Sequence, residues 1–155
     1  MRVLVDADAC PRAVREVLER VAMRGRIELV LVANRPLRTA RAAGVRAVRA
    51  DDGFDAADRL IVEQAGPGDL AITSDVPLAA ELAGRGVTVL TPRGEEITED
   101  NAGERLASRN LAESLRAGGE PTGGPAPFGA RDRRAFADAL DRALTRLGRR
   151  AHGAV

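Results

Sequence analysis

The chain has no lysine, tryptophan or tyrosine, and only three phenylalanines, one cysteine and one histidine in 155 residues. Without lysine, all 24 basic residues are arginine, which excludes any mechanism built on a catalytic or phosphate-binding lysine. Without tryptophan or tyrosine the core must be made of Val, Leu, Ile and Ala, and little remains on which unpaired bases could stack. One cysteine excludes an intrachain disulfide. The histidine, His152, stands in the last four residues, so Cys10 has no anchored base and is expected to be a small buried or capping residue, not a nucleophile. No apolar run reaches the length of a membrane span. The N-terminus enters a strand pattern at once, with no signal-peptide pattern, so the expected location is the cytoplasm.

What is present is ordinary for a globular protein: 45% hydrophobic and 30% charged residues in a length that suits one domain. Net charge is +1, but it is unevenly spread. Residues 1–100 carry 14 Arg and 17 acids, a net of −3, and residues 101–155 carry 10 Arg and 6 acids, a net of +4. An acidic body with a basic C-terminal arm suits an enzyme acting on an anionic substrate, although most single arginines need no role beyond solvation.

Apolar runs at Arg2–Asp6, Ile27–Ala33, Val45–Val48, Asp69–Thr73 and Val87–Leu90 predict strands, the second being continuous enough for a central parallel strand covered on both faces. Between them, helical spacing predicts helices from Pro11 to about Met23, over Leu37–Ala43, over Asp55–Ala65 with Leu60 and Ile61 inward, and over Pro77–Ala83. Pro11 suits a first helical position, and Gly25 and Gly66–Gly68 act as stops. This alternation predicts an α/β fold, a three-layer sandwich around a mostly parallel sheet with right-handed crossovers. Two C-terminal helices follow. Asn101–Arg116 has Leu106, Leu111 and Leu115 inward, and Ala135–Leu147 places Phe136, Leu140, Leu144 and Leu147 on one side. Residues 1–148 form one domain. A Gly/Pro-rich segment (117–130) precedes the last helix, serving as a linker or as a lid, and 149–155 is expected to be a disordered tail.

Two strands end in acid: Val5-Asp6-Ala7-Asp8 and Ile72-Thr73-Ser74-Asp75. In open α/β sheets such C-terminal strand tips border the ligand crevice. With Asp55 and Asp58 at the start of a neighbouring helix, these acids form a candidate cluster. Without a cation such a cluster raises its own pKa values; Mg²⁺ or Mn²⁺ would relieve it, lower the pKa of a bound water and clamp a phosphate. Each acid also has a plainer reading. Asp6 or Asp8 would cap the helix after Pro11, Asp55 and Asp75 would cap theirs, and Asp58 would be a solvated helix residue. Asp69 opens its strand at the opposite end and is left out. Asp-x-Asp after a first strand also occurs in haloacid-dehalogenase phosphatases, but those need a lysine. No G-x-G-x-x-G follows the first strand, so a dinucleotide site is poorly supported.

Several spaced motifs occur in order over nearly the whole chain: Val5-Asp6-Ala7-Asp8-Ala9-Cys10-Pro11, Val32-Ala33-Asn34, Asp55-Ala56-Ala57-Asp58, Gly68-Asp69, Ile72-Thr73-Ser74-Asp75 and Leu78-Ala79. Arg109, Arg116 and Gly123-Gly124-Pro125 complete the set. On these residues the chain resembles the YaiI/YqxD family of uncharacterised bacterial proteins, which looks related to PIN-like nuclease domains. The resemblance implies a PIN-like fold. It also implies Mg²⁺ or Mn²⁺ held by Asp6, Asp58 and Asp75 with Asp8 close by, and cleavage of RNA through an activated water. PIN nucleases commonly carry Glu where this chain has Asp58, one methylene shorter. The resemblance brings no established substrate.

The leading expectation is therefore a metal-dependent nuclease or phosphodiesterase acting on RNA or another nucleic acid. Asp6, Asp8, Asp58 and Asp75 would be its metal and catalytic residues, and Asn34, Arg35, Arg38, Arg109 and Arg116 its substrate contacts. The alternatives are a PIN-like module that binds nucleic acid, nucleotide or protein without chemistry, and a small-molecule phosphatase using the same acids.

Overall fold

The computed structural model describes residues 1–37, 44–51, 53, 55–117 and 127–153, apart from the side chains of 109–110, 112–117 and 151–153. Its strands are β1 (Arg2–Asp6), β2 (Glu28–Ala33), β3 (Val45–Arg49), β4 (Leu70–Ile72), β5 (Thr88–Leu90) and β6 (Glu96–Ile97). Its α-helices are α1 (Arg12–Met23), α2 (Ala56–Gln64), α3 (Val76–Gly84), α4 (Glu99–Ala117) and α5 (Ala130–Gly153), and a single 3₁₀ turn, Ala7–Ala9, follows β1. The strands make one sheet in the order β3-β2-β1-β4-β5-β6. The first five run parallel, and β6 returns antiparallel through Val89↔Ile97 and Leu90↔Glu96. This is the expected α/β sandwich with a mostly parallel sheet.

Side chains alternate across each strand, so every central strand feeds two cores. Val3, Val5, Leu29, Leu31, Leu70 and Ile72 pack beneath α1 and α5, meeting Val14, Leu18, Phe136 and Leu140. Leu4, Val30, Val32, Ala71 and Val89 pack on the other face against Ala57 and Ile61 of α2, Leu78 and Leu82 of α3, and Ala102 of α4. Burying a leucine such as Leu18 fully contributes about 1.5–3 kcal/mol. The aliphatic core that the missing aromatics demand is thus present, with Phe136 as its one fully buried ring among the described residues.

Element boundaries depart from the sequence reading in instructive places. Pro11 is the N-cap of α1 and not its first residue. Leu60 is only half-buried, beside the buried Ile61. The polar Glu95–Thr98 stretch holds β6, because a two-residue strand needs one buried side chain, Ile97, and an edge to pair with. Leu111 is 63% exposed instead of inward. The nine-residue α3 accounts for this, since α4 is nineteen residues long and by Ser108 has reached the Val76 end of α3. Leu106 is half-buried, and the Leu115 side chain lies outside the described residues. α5 starts five residues earlier than Ala135 and runs on to Gly153, past the Arg149 at which an unstructured tail was expected. The expected helix over Leu37–Ala43 falls outside the described residues from Arg38 onward, as do 118–126 of the Gly/Pro-rich segment. Among the described residues no helix is long and apolar enough to cross a membrane.

Candidate functional site

The strand order reverses at β1, which has β2 on one side and β4 on the other. The C-terminal ends of β1 and β4 therefore border the crevice where such sheets bind ligands. Asp6 ends β1 there and is buried, with 9% of its surface exposed. Its Oδ2 accepts a hydrogen bond from the Thr73 hydroxyl at 3.2 Å, across the switch point. Burial pushes the Asp6 carboxyl above its ordinary range, the Thr73 hydrogen bond works against that, and the charges of Asp75 and Asp8 add to it.

Asp75 sits just beyond β4, where its Oδ1 accepts from the Leu78 N–H at 3.0 Å and caps α3. Its own N–H donates to the Thr73 hydroxyl oxygen at 3.0 Å. The buried Thr73 side chain thus links both strand tips. Asp58, in the first turn of α2, has its carboxyl pushed up to about 6, first by burial and then by the charges of Asp75, Asp6, Asp55 and Glu81. Three elements, β1, α2 and the β4–α3 junction, therefore deliver like charges that feel one another.

The capping alternatives resolve residue by residue. Asp75 is a helix cap as well as a member of the cluster. Neither Asp6 nor Asp8 caps α1, whose N-cap has no side-chain acceptor. Instead Asp8 Oδ2 accepts from the Asn34 N–H at 2.8 Å, with the Arg35 Nε 3.8 Å from its other oxygen. Asp8 thereby ties the β1 tip to the β2 tip and places Asn34 and Arg35 beside the acids. Asp55 holds the N-cap position of α2 at φ 61°, without a side-chain cap bond. Asp69 lies at the other end of β4 and pairs with Arg2 at 2.9 Å. Arg38 lies outside the described residues; Arg109 and Arg116 are on α4, their side chains likewise outside. Cys10 is buried, its thiol pushed up to about 12 chiefly by burial, and so stays protonated.

Sequence reasoning gave no role to Thr73 or Glu81. The Thr73-Ser74-Asp75 spacing was the available signal, since residues two apart on a strand tip face the same way. Glu81 lies six residues beyond the Asp75 cap, on a helix that the reading used only for its apolar face. A cavity of about 340 Å³ adjoins Asp75, walled by Thr73, Ser74, Arg93, Arg105 and Phe128. Arg93 there pairs with Asp132 at 3.1 Å and lies 5.8 Å over the Phe128 ring, and Arg105 pairs with Glu95.

Whether these acids suit a divalent cation is a matter of geometry as much as charge. Among the described residues no three His, Cys, Asp or Glu side chains are set to hold one metal ion between them. Asp6 Oδ2 and Asp75 Oδ1 are each taken by a protein hydrogen bond, and among the described residues the other oxygen of each accepts none.

A family model described as the uncharacterised YaiI/YqxD family matches residues 4–146. The UPF0178 protein Pfl01_5469 of Pseudomonas fluorescens is 52% identical over 149 residues, covering 96% of this chain and 99% of its own. The UPF0178 protein of Myxococcus xanthus is 52% identical over 147 residues, covering 95% and 96%. That of Saccharophagus degradans is 50% identical over 146 residues, covering 94% and 97%. No solved structure gives a significant match.

Proposed function

This chain belongs to the YaiI/YqxD family, and from that premise we propose that it is a divalent-cation-dependent phosphodiester hydrolase acting on RNA or another nucleic acid. One observation carries the reading: the carboxylates of Asp6, Asp58 and Asp75 come from three separate elements to one strand-tip crevice, and Asp6 and Asp58 are held above the ordinary range first by burial and then by neighbouring carboxylates. Such a cluster is short of positive charge. The resemblance to PIN-like nucleases supports the same residues. As placed they form no three-carboxylate cage, so the reading rests on accumulated charge and not on a preformed site.

Asp6, Asp58 and Asp75 would hold Mg²⁺ or Mn²⁺, with Asp8 alongside. When bound, the cation would acidify a water and offset phosphate charge. The chain's own contribution is positioning. Thr73 fixes one oxygen of Asp6, the α3 N-terminus fixes one oxygen of Asp75, and the Asn34 N–H fixes Asp8. Arg35, largely exposed beside Asp8, is available to a phosphate as a bidentate fork.

A second reading, a module that binds nucleic acid, nucleotide or protein without chemistry, is favoured by a specific observation. Asp75 and Asp8 already have structural hydrogen bonds, and among the described residues no three acids are set to hold one ion. Calorimetric titration of Mn²⁺ into the wild type, Asp6→Asn and Asp75→Asn separates the two. Stoichiometric binding that both variants lose, followed by metal-dependent cleavage of a labelled RNA, supports the hydrolase. No binding to the folded wild type overturns it, and cleavage confined to small phosphate monoesters would make the protein a phosphatase.

A further inference from the structure

We propose that the cleft between α1 and α5, away from the acids, docks the phosphate backbone of a nucleic-acid strand. The identity of that strand as substrate rests on the hydrolase reading above; the anion-binding chemistry of the cleft does not.

The cleft has a volume of about 650 Å³ and is walled by Arg20, Arg24, Arg26, Arg133 and Arg134, with Asp141 as the one carboxylate among its lining residues. Over the whole chain the ratio is 24 cations to 23 acids; here it is five to one. A chain rich in arginine scatters them over its surface, and each would then sit near an acid as often as not. The Arg26–Asp141 pair, 3.4 Å apart and exposed on both sides, leaves the imbalance in place. Among the described residues, Arg20, Arg24, Arg133 and Arg134 have no carboxylate within ion-pair distance.

Helix stability accounts for only part of the set. Arg20 is in the last turn of α1 and Arg24 is its C-cap, where the helix dipole favours cations. Arg133 and Arg134 stand near the opposite end of their helix, close to the start of α5 at Ala130, where the same dipole disfavours them. Two of the arginines therefore sit against the local electrostatics, and an anion in the cleft would be favoured both by them and by that end of α5. The lining includes apolar Val21 and Leu140, the kind of surface along which arginine stems pack while their forks stay in water. Five planar forks, none able to lose its proton, suit successive phosphates, each accepting two parallel hydrogen bonds.

The test is binding of a short labelled single-stranded RNA by fluorescence anisotropy, in EDTA so that no cleavage occurs, over a salt series. The proteins are the wild type, Arg20→Gln/Arg24→Gln, Arg133→Gln/Arg134→Gln and Asp141→Asn, each checked for an unchanged melting curve. Each double variant is expected to weaken binding roughly tenfold at low salt and to lower the slope of log K against log salt by about 1 to 2. Asp141→Asn should tighten binding, an effect that loss of structure would not produce. Affinity and slope unaltered in both folded double variants would overturn the proposal. So would tighter arginine-dependent binding to vesicles of acidic phospholipid, or equal competition by inorganic phosphate. Arginine-dependent binding in a protein that never binds Mn²⁺ or cleaves RNA would sink the hydrolase and leave the cleft standing. Metal-dependent cleavage with arginine-independent binding would do the reverse.

Discussion

Two regions of this molecule concentrate charge of one sign, and they store the resulting repulsion differently. At the β1–β4 crevice, Asp6, Asp58 and Asp75 come together partly out of water, and the carboxyls of Asp6 and Asp58 are raised, first by burial and further by the neighbouring charges. A proton can relieve the repulsion. In the α1–α5 cleft the charges are guanidiniums, which stay protonated at any ordinary pH. They remain on long, mostly exposed stems, and water, salt or a bound anion must relieve them. An acidic cluster thus responds to pH and to divalent cations, whereas an arginine cluster responds to ionic strength and to polyanions. The crevice would do the chemistry and the cleft would hold the strand.

The comparison breaks first at Asp6→Asn. Its amide oxygen still accepts from Thr73, so the fold should survive. Cleavage should fall roughly a hundred- to a thousandfold, the scale on which an enzyme loses one charged or hydrogen-bonding group at its reacting centre. In the same kinetic assay Arg20→Gln/Arg24→Gln should raise KM about tenfold with kcat within about twofold, as expected where ground-state binding alone is lost. A variant of the cleft that lowered kcat as far as Asp6→Asn would merge the two regions into one site.

Gly94→Ala tests whether the regions can be separated structurally. Gly94 lies in the β5–β6 turn at φ +85°, and a Cβ there would come within 2.6 Å of the Ala135 carbonyl oxygen on α5. Left-handed backbone and overpacking together cost about 3 kcal/mol, which urea denaturation would read as a lowered midpoint. Because α5 supplies one wall of the cleft and none of the acids, RNA binding in EDTA should weaken while Mn²⁺ binding persists. Equal loss of both would mean that α5 also positions the crevice.

How much of this was legible in the sequence depends on how local its cause is. The parallel strands were visible because burial on both faces makes them continuous apolar runs, as at Leu29–Ala33. The two acidic tips were visible because a strand that ends in Asp is a local signal, and Asp75 revealed both its roles in its spacing to α3. The link through Thr73 was not visible, since it depends on β1 and β4 being neighbours, which the strand order decides. Nor was β6, which exists only because β5 offers it an edge. The cleft was missed for the same reason: Arg20–Arg26 and Arg133–Arg134 are more than a hundred residues apart and meet only when α5 folds back onto α1. Of the arginines the sequence pointed to instead, Arg35 and Arg38 follow the β2 tip directly, and Arg109 and Arg116 belong to the motifs of the family resemblance.

A smaller effect sharpens the contrast in pH response. The folded Asp58 carboxyl is raised to about 6 from 3.8, so between these values the folded protein keeps a proton that the unfolded chain has lost. Stability then falls as pH rises through that window, its benefit being complete below about 4 and gone above about 6. Discounted for the partial exposure of the group, the penalty at pH 7 is about 1 kcal/mol, or roughly 2–4 °C in Tm. Asp58→Asn should be more stable than the wild type by that margin at pH 7 and equal to it near pH 4. Equal melting curves at both pH values would remove Asp58 from the cluster.

The smallest effect separates the two causes of that penalty. Burial comes first among them and the charges of Asp75, Asp6, Asp55 and Glu81 come after it. Added monovalent salt screens the charges, shortening the Debye length from about 10 Å at 0.1 M to about 3 Å at 1 M, but does nothing for burial. At pH 7 the advantage of Asp58→Asn should therefore shrink with salt by less than half, about 0.3 kcal/mol or roughly 1 °C. Over the same salt series RNA binding at the cleft should fall by orders of magnitude. If salt erased the Asp58→Asn advantage completely, repulsion among exposed carboxylates would be its whole cause. The crevice would then resemble the cleft, a solvated patch of like charge whose only remedy is a counterion.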